Sequence, residues 1–152
     1  NSVMFGRPGL LYVYSIHAKY CMNVVTEREG RGAAILIRAL EPSEGRDWMN
    51  RNRFGANHTL RSDVELTNGP GKLCAALQID RSLNGVDLVT DDRIWIENEP
   101  AIRLSPSQIH CSPRIGISQA VDRPWRWFID GNRYVSGLAR LHRLPRVGRL
   151  QK

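Results

Sequence analysis

A chain of 152 residues that is 41% hydrophobic and 24% charged has the apolar content of one domain with a real core, and too much of it for a disordered segment. No apolar run approaches the length of a membrane span and no secretory apolar region is visible, so no membrane partner is expected. The formal net charge is +7, lysine occurs only at Lys19, Lys72 and Lys152, and an arginine-rich excess suits phosphate, which accepts two parallel bonds from the planar guanidinium. The charge points to a polyanion, most simply DNA or RNA, with a coding bias towards arginine as the plain alternative. The three cysteines, Cys21, Cys74 and Cys111, are odd in number and form no CxxC pair, which argues against a disulfide framework and for a reducing compartment. His110-Cys111 has no second pair at metal-finger spacing, so no metal is expected. The chain opens on Asn1 rather than Met, and we expect a processed or partial chain.

Pro8-Gly9 reads as a turn into the first strand. Leu10–Asn23 (LLYVYSIHAKYCMN) is the stretch around which the rest is organised. Two aromatic and β-branched halves flank the polar His17-Ala18-Lys19, the pattern of a hairpin with a cationic tip. Tyr12, Tyr14 and Tyr20 on its flanks suit a partner that is anionic and has flat faces, as nucleic acid is. An ordinary surface hairpin with tyrosines in a core is the other reading. Alternation puts Tyr12, Tyr14 and Ile16 on one face and Leu11, Val13 and Ser15 on the other, and two largely apolar faces predict a central, doubly covered strand. Asn23 is out of place in an apolar strand and needs a partner, either a ligand edge or a backbone group.

Glu27–Gly32 is a polar turn, and Ala33–Leu40 (AAILIRAL) predicts a strand closed by Pro42. Its one charge, Arg38, calls for a carboxylate partner or for a phosphate reached from the sheet. Ser43–Phe54 predicts a helix capped by Ser43, with Trp48 and Met49 facing the core and Arg46, Arg51 and Arg53 on the polar side. Residues 61–66 read as a turn. Asn68-Gly69-Pro70-Gly71-Lys72 then leads into a helix whose start offers amides and Lys72 to an anion, although the P-loop spacing is absent. A plain Gly-Pro helix entry is equally compatible with that pattern.

Asp80–Val89 is loop with an Asn84-Gly85 turn. Arg93–Glu97 (RIWIE) and Arg114–Ser118 (RIGIS) predict strands, the latter with a central glycine of the kind that marks close approach of backbone or ligand. Trp125–Ile129 predicts a strand turned by Asp130-Gly131 into Arg133–Ser136. From Leu138 basic and apolar residues recur every third position, and Pro145 and Gly148 break any continuous helix, which predicts a basic tail over 138–152. Hairpins without regular βαβ alternation make the class α+β: one domain over 1–137 around a mostly antiparallel sheet with a protruding β-hairpin.

The ordered strings MFGRPGLLYVY, CMNVV, LIRALEPSEG, NGPGKLCAALQI, RIGIS and WRWFIDG together resemble the alkyladenine (3-methyladenine) DNA glycosylase family without a helix-hairpin-helix motif, from about Met4 to Gly137. The resemblance implies a compact domain around a curved antiparallel sheet whose hairpin enters the DNA minor groove. It implies an enzyme that flips alkylated or deaminated purines from double-stranded DNA and hydrolyses the N-glycosidic bond with water, using no cofactor. A monomer is expected, cytoplasmic and nucleoid-associated in a bacterium or nuclear in a eukaryote. Flipping is required because the attacked sugar carbon is shielded inside the duplex. Residue by residue, the resemblance makes Tyr14 the tyrosine that stacks on the flipped base, and Asn23 the pocket asparagine that disfavours guanine. Arg38 becomes the sheet arginine near the nucleotide's phosphate, and Ile115 and Gly116 the backbone lining base and water. His17, Lys19 and Lys72 join Arg38 as expected DNA contacts.

Two departures stand out. The family has Tyr-Gly at the hairpin tip, where this chain has His17-Ala18 and a hairpin one residue shorter, so His17 is the expected wedge. The family's catalytic glutamate lies in a Glu-Ala-Tyr segment upstream of Met-Phe…Pro-Gly, and none of Glu27, Glu29, Glu41, Glu44, Glu65, Glu97 or Glu99 sits in such a motif. The expectation is therefore a chain that by itself does not cleave, with a non-catalytic DNA-binding module using the same hairpin as the alternative.

Overall fold

The computed structural model describes residues 1–59 and 62–137. They fall into two compact units, the first Asn1–Asn98 and the second beginning at Glu99. The expected basic tail lies outside the described residues. Helices and antiparallel sheets occur side by side, and the class is α+β.

In the first unit β1 (Leu11–Ile16), β2 (Lys19–Val25) and β3 (Ala34–Leu36) form an antiparallel sheet in the order β1-β2-β3. The Pro8-Gly9 turn and the Leu10–Asn23 hairpin are as the sequence predicts, but β1 is an edge strand, not the central strand expected. Its outer edge is closed by chain rather than by another strand. Leu11 N donates to Val86 O at 2.7 Å, Gly85 N to Leu11 O at 2.8 Å, and Val13 N to the Asn84 side-chain oxygen at 2.9 Å. The Asn84-Gly85 turn thus blunts an edge that would otherwise expose unpaired backbone. β3 is shorter than the predicted Ala33–Leu40. After Ile37 N bonds Met22 O the chain leaves the ladder, and the Leu40 carbonyl accepts from the Thr67 hydroxyl instead.

One face of the sheet makes the core. Leu11, Val13 and Met22 pack with Leu73, Cys74, Ile79 and Leu88. Leu73 and Cys74 come from α3 (Pro70–Ala76), which follows α1 (Arg46–Phe54) and α2 (Val64–Thr67). α1 starts after Gly45 rather than at a Ser43 cap. Arg46 draws the Pro42 and Ser43 carbonyls onto its guanidinium, so the residues expected to begin the helix are held outside it. Trp48 is exposed rather than in the core. α1 is fixed through polar side chains instead: Asn52 donates to Ala76 O, and Arg53 to the Glu65 and Leu66 carbonyls. α2 replaces the turn expected there.

The second unit holds β4 (Ile109–Ser112) paired antiparallel with β5 (Arg126–Ile129). β5 lies where a strand was expected, but its partner is the upstream Ile109–Ser112 and not Arg133–Ser136, which forms turns. A single side chain explains the choice. Buried Arg126 donates to the Ser112 hydroxyl at 3.1 Å and to the Ser136 carbonyl at 2.8 Å, so Ser136 serves as an acceptor rather than a ladder residue. The Arg126 guanidinium also stacks over Phe128 at 4.6 Å. Neither RIWIE nor RIGIS is a strand. In the first, Arg93 is turned back onto Asp91 and only Ile96 N reaches a backbone partner, Leu88 O. In the second, the chain bends at Gly116, whose φ is +72°. No helix among the described residues is long and apolar enough to cross a membrane.

Leu73 has no exposed surface and sits at the centre of the sheet–helix core. Leu73→Ala should cost about 2–5 kcal/mol of unfolding free energy by urea titration. A loss below ~1 kcal/mol would show that α3 does not carry the core.

Candidate nucleic-acid interface

The face of the sheet turned away from the core is built by cross-strand register. Tyr12 pairs with Asn23, Tyr14 with Cys21, and Asn23 with Leu36, so these five side chains share one side. The rings of Tyr12 and Tyr14 lie 5.6 Å apart. Tyr12 is closed off, since its hydroxyl donates to the Asn1 side-chain oxygen at 3.0 Å and only 8% of it is exposed. Tyr14 is only half-buried and keeps surface free for a ligand. Tyr20, grouped with the other tyrosines in the sequence reading, is opposite Ser15 and packs against the core cluster on the other face.

Asn23 is buried, and its amide nitrogen donates to the Tyr12 carbonyl at 3.0 Å and to the Cys21 carbonyl at 3.4 Å. The backbone partner demanded by an asparagine in an apolar strand is therefore present. These bonds hold the side chain rigid in the wall of the face. Arg38 is half-buried beside Tyr14 and Cys21. Burial lowers its pKa, and those two groups pull it back up. Burial raises the Tyr14 phenol, helped by the charge of Cys21 and its hydrogen bond to the thiol, while Arg38 opposes. Burial likewise raises the Cys21 thiol, against the Tyr14 hydrogen bond and Arg38. At neutral pH the face presents a neutral phenol, a neutral thiol and one cation. Tyr14, Cys21 and Arg38 act electrostatically on one another, and Tyr12 acts on Tyr14.

The hairpin closes through His17-Ala18, both at positive φ (48° and 58°), the turn whose twist matches the strands it joins. Ser15 to Lys19 are all exposed, so His17 and Lys19 stand on a projecting tip. Lys19 also lies against α3: a Cβ on Gly71 would stand 3.0 Å from Lys19 Cδ, so glycine lets the lysine stem pack there. Lys72, one residue on, is exposed and donates to the Asn68 side chain at 2.7 Å. The structure thus brings Lys19 and the start of α3 together, while the α3 entry itself is short and makes no side-chain cap. Ile115 and Gly116 belong to the second unit, on the connection between β4 and β5, half-buried and exposed respectively. The sequence reading missed Cys21 and Leu36 as members of the Tyr14 face. The two-residue turn was the available signal, since it makes Cys21 the cross-strand partner of Tyr14.

A family model described as methylpurine-DNA glycosylase matches residues 1–133. The chain belongs to that family. A relative from Rhodopirellula baltica, provisionally named a 3-methyladenine DNA glycosylase, is 52% identical over 147 residues, which cover 96% of this chain and 62% of the relative. One from Desulfitobacterium hafniense with the same provisional name is 45% identical, covering 88% of the chain and 68% of the relative. The DNA-3-methyladenine glycosylase of Mus musculus is 42% identical over 149 residues, covering 93% of the chain and 44% of the mouse protein. The chain thus spans about two fifths to two thirds of the length of these relatives.

In a methylpurine-DNA glycosylase hairpin with His17-Ala18 at the tip, the left-handed alanine costs about 1–2 kcal/mol that glycine does not incur. Ala18→Gly should therefore raise the urea midpoint by an amount equivalent to about 0.5–1 kcal/mol. An unchanged or lower midpoint would show that Ala18 is not held in this conformation.

Proposed function

We propose that the parent protein is a DNA repair glycosylase that takes alkylated or deaminated purines out of the duplex, and that this chain carries its hairpin and much of its base pocket. The observation that carries the reading is the Tyr14–Cys21–Asn23–Arg38 face beside a projecting cationic hairpin. A purine rotated out of the stack meets the half-open Tyr14 ring, and stacking of this kind contributes roughly 1–3 kcal/mol per base. Asn23, locked by the Tyr12 and Cys21 carbonyls, is a rigid wall that rejects the 2-amino group of guanine. Arg38 supplies charge for the phosphate of the flipped nucleotide. His17 enters the gap the base leaves, and Lys19 and Lys72 meet the neighbouring phosphates. The resemblance, rather than any packing against the Tyr14 face, assigns Ile115 and Gly116 to lining the base and water.

Hydrolysis breaks the bond between the sugar C1′ and the purine nitrogen as a water oxygen adds to C1′. That water needs a positioned base. None of this chain's glutamates lies in the Glu-Ala-Tyr motif that the resemblance associates with that base, so this reading gives the face a binding and positioning role. The same observation favours the second reading, a DNA-binding module that keeps the pocket without the chemistry.

Competition between a duplex containing 1,N6-ethenoadenine and an undamaged duplex tests the pocket. Wild-type chain should prefer the lesion, and Tyr14→Ala should reduce that preference roughly tenfold while leaving undamaged DNA unaffected. The chain alone should release no base on prolonged incubation. Equal binding to both duplexes would remove the pocket from the account, and substantial base release by a sequence-verified sample would place the water-activating group within these residues.

A further inference from the structure

The second unit carries an aromatic and cationic cluster that the base pocket does not use. Trp125 is 59% exposed at the entrance to β5. The Arg114 guanidinium lies 5.2 Å from its ring centroid and the Arg123 guanidinium 5.8 Å. Two cations on one exposed indole repel each other and are tolerated because the ring's negative face attracts both. Neither guanidinium meets a carboxylate among the described residues.

The cluster is held in place by the chain. Trp125 N donates to Arg123 O at 2.8 Å across Pro124, and Arg123 N to Ala120 O at 3.3 Å. These tight turns bring Arg123 and Trp125 together. Arg114 donates to the Gln119 carbonyl at 3.0 Å, which closes the other side of the loop. Trp127, two residues along β5, is 51% exposed. The surface therefore offers uncompensated positive charge set around an ordered, flat, apolar face.

We propose that Arg114, Arg123 and Trp125 form a second DNA contact, which takes an unstacked base on the indole and its flanking phosphates on the guanidiniums. The charge favours an anion, and the exposed indole beside the charges favours one in which a flat π-face accompanies every phosphate, as in single-stranded nucleic acid. The proposal rests on the reading of this chain as DNA-binding and adds a single-strand contact outside the hairpin.

The test is binding of fluorescent oligo(dT) to the 152-residue chain across a salt series. Trp125→Ala should weaken binding roughly tenfold and Trp125→Phe much less, because a ring remains. Arg123→Ala should reduce the slope of log affinity against log salt by about 0.7. The Arg123 side chain is exposed, and exposed substitutions usually shift stability little, so this slope decides the matter even if Trp125→Ala fails to fold. Wild-type affinity and slope in Arg123→Ala and in a folded Trp125 variant would overturn the proposal and leave the cluster as a clip that pins the loop. Loss of lesion preference in Tyr14→Ala, with oligo(dT) binding untouched by Trp125 and Arg123, would overturn this contact while the base pocket stands. The converse pattern would remove the pocket and keep the contact.

Discussion

The antiparallel pairing of β1 with β2 is the constraint on which the first unit depends. A two-residue turn fixes the register, and the register sorts side chains. It sends Leu11, Val13 and Met22 towards α3, and Tyr12, Tyr14, Cys21 and Asn23 to the opposite face. A slip of one residue would reverse this assignment, burying tyrosines against Leu73 and exposing the core. The turn achieves this without glycine, with His17 and Ala18 both at positive φ. The strain is concentrated at the exposed tip, and the core contacts around Leu11 and Met22 hold it.

Two features keep this face from becoming a second core. Tyr12 is sealed by its bond to Asn1, and the sealed ring supports Tyr14, which stays half-open. Asn23 has its amide nitrogen bound to carbonyls of the sheet itself, so a buried polar group sits in an apolar strand without a desolvation penalty left uncompensated. Arg38 adds the one charge. In the proposed reading, a neutral aromatic, a rigid amide and a guanidinium would together meet a base and a phosphate, which removing a nucleotide from a duplex requires.

Much of this was legible in the residues. Alternation and the polar interruption gave the hairpin, and Asn23 declared itself by being wrong for its strand. Membership of the methylpurine-DNA glycosylase family agrees with the motifs that carried the resemblance. What was not legible depended on partners distant in sequence. RIWIE alternates like a strand but has a single ladder-like bond to Leu88. IHCS has no strand pattern yet pairs with β5, because buried Arg126 ties Ser112 and Ser136 to itself. Tyr20 looked like a companion of Tyr14, and only the register shows that it faces the core. Trp48 looked like a core residue, but α1 is anchored through Asn52 and Arg53. Local pattern reports which faces are apolar, whereas a partner's identity depends on which distant groups must be satisfied.

The central claim is that the Tyr14 face receives a purine rotated out of the helix. The most direct measurement is the emission of 1,N6-ethenoadenine placed in a duplex and titrated with the chain. The account predicts that emission moves away from its stacked, in-duplex level and saturates in step with binding. It also predicts that the change is lost in Tyr14→Ala at concentrations where that variant is fully bound. Emission that stays at the duplex level while binding saturates would mean that the base never leaves the stack, and would contradict the account.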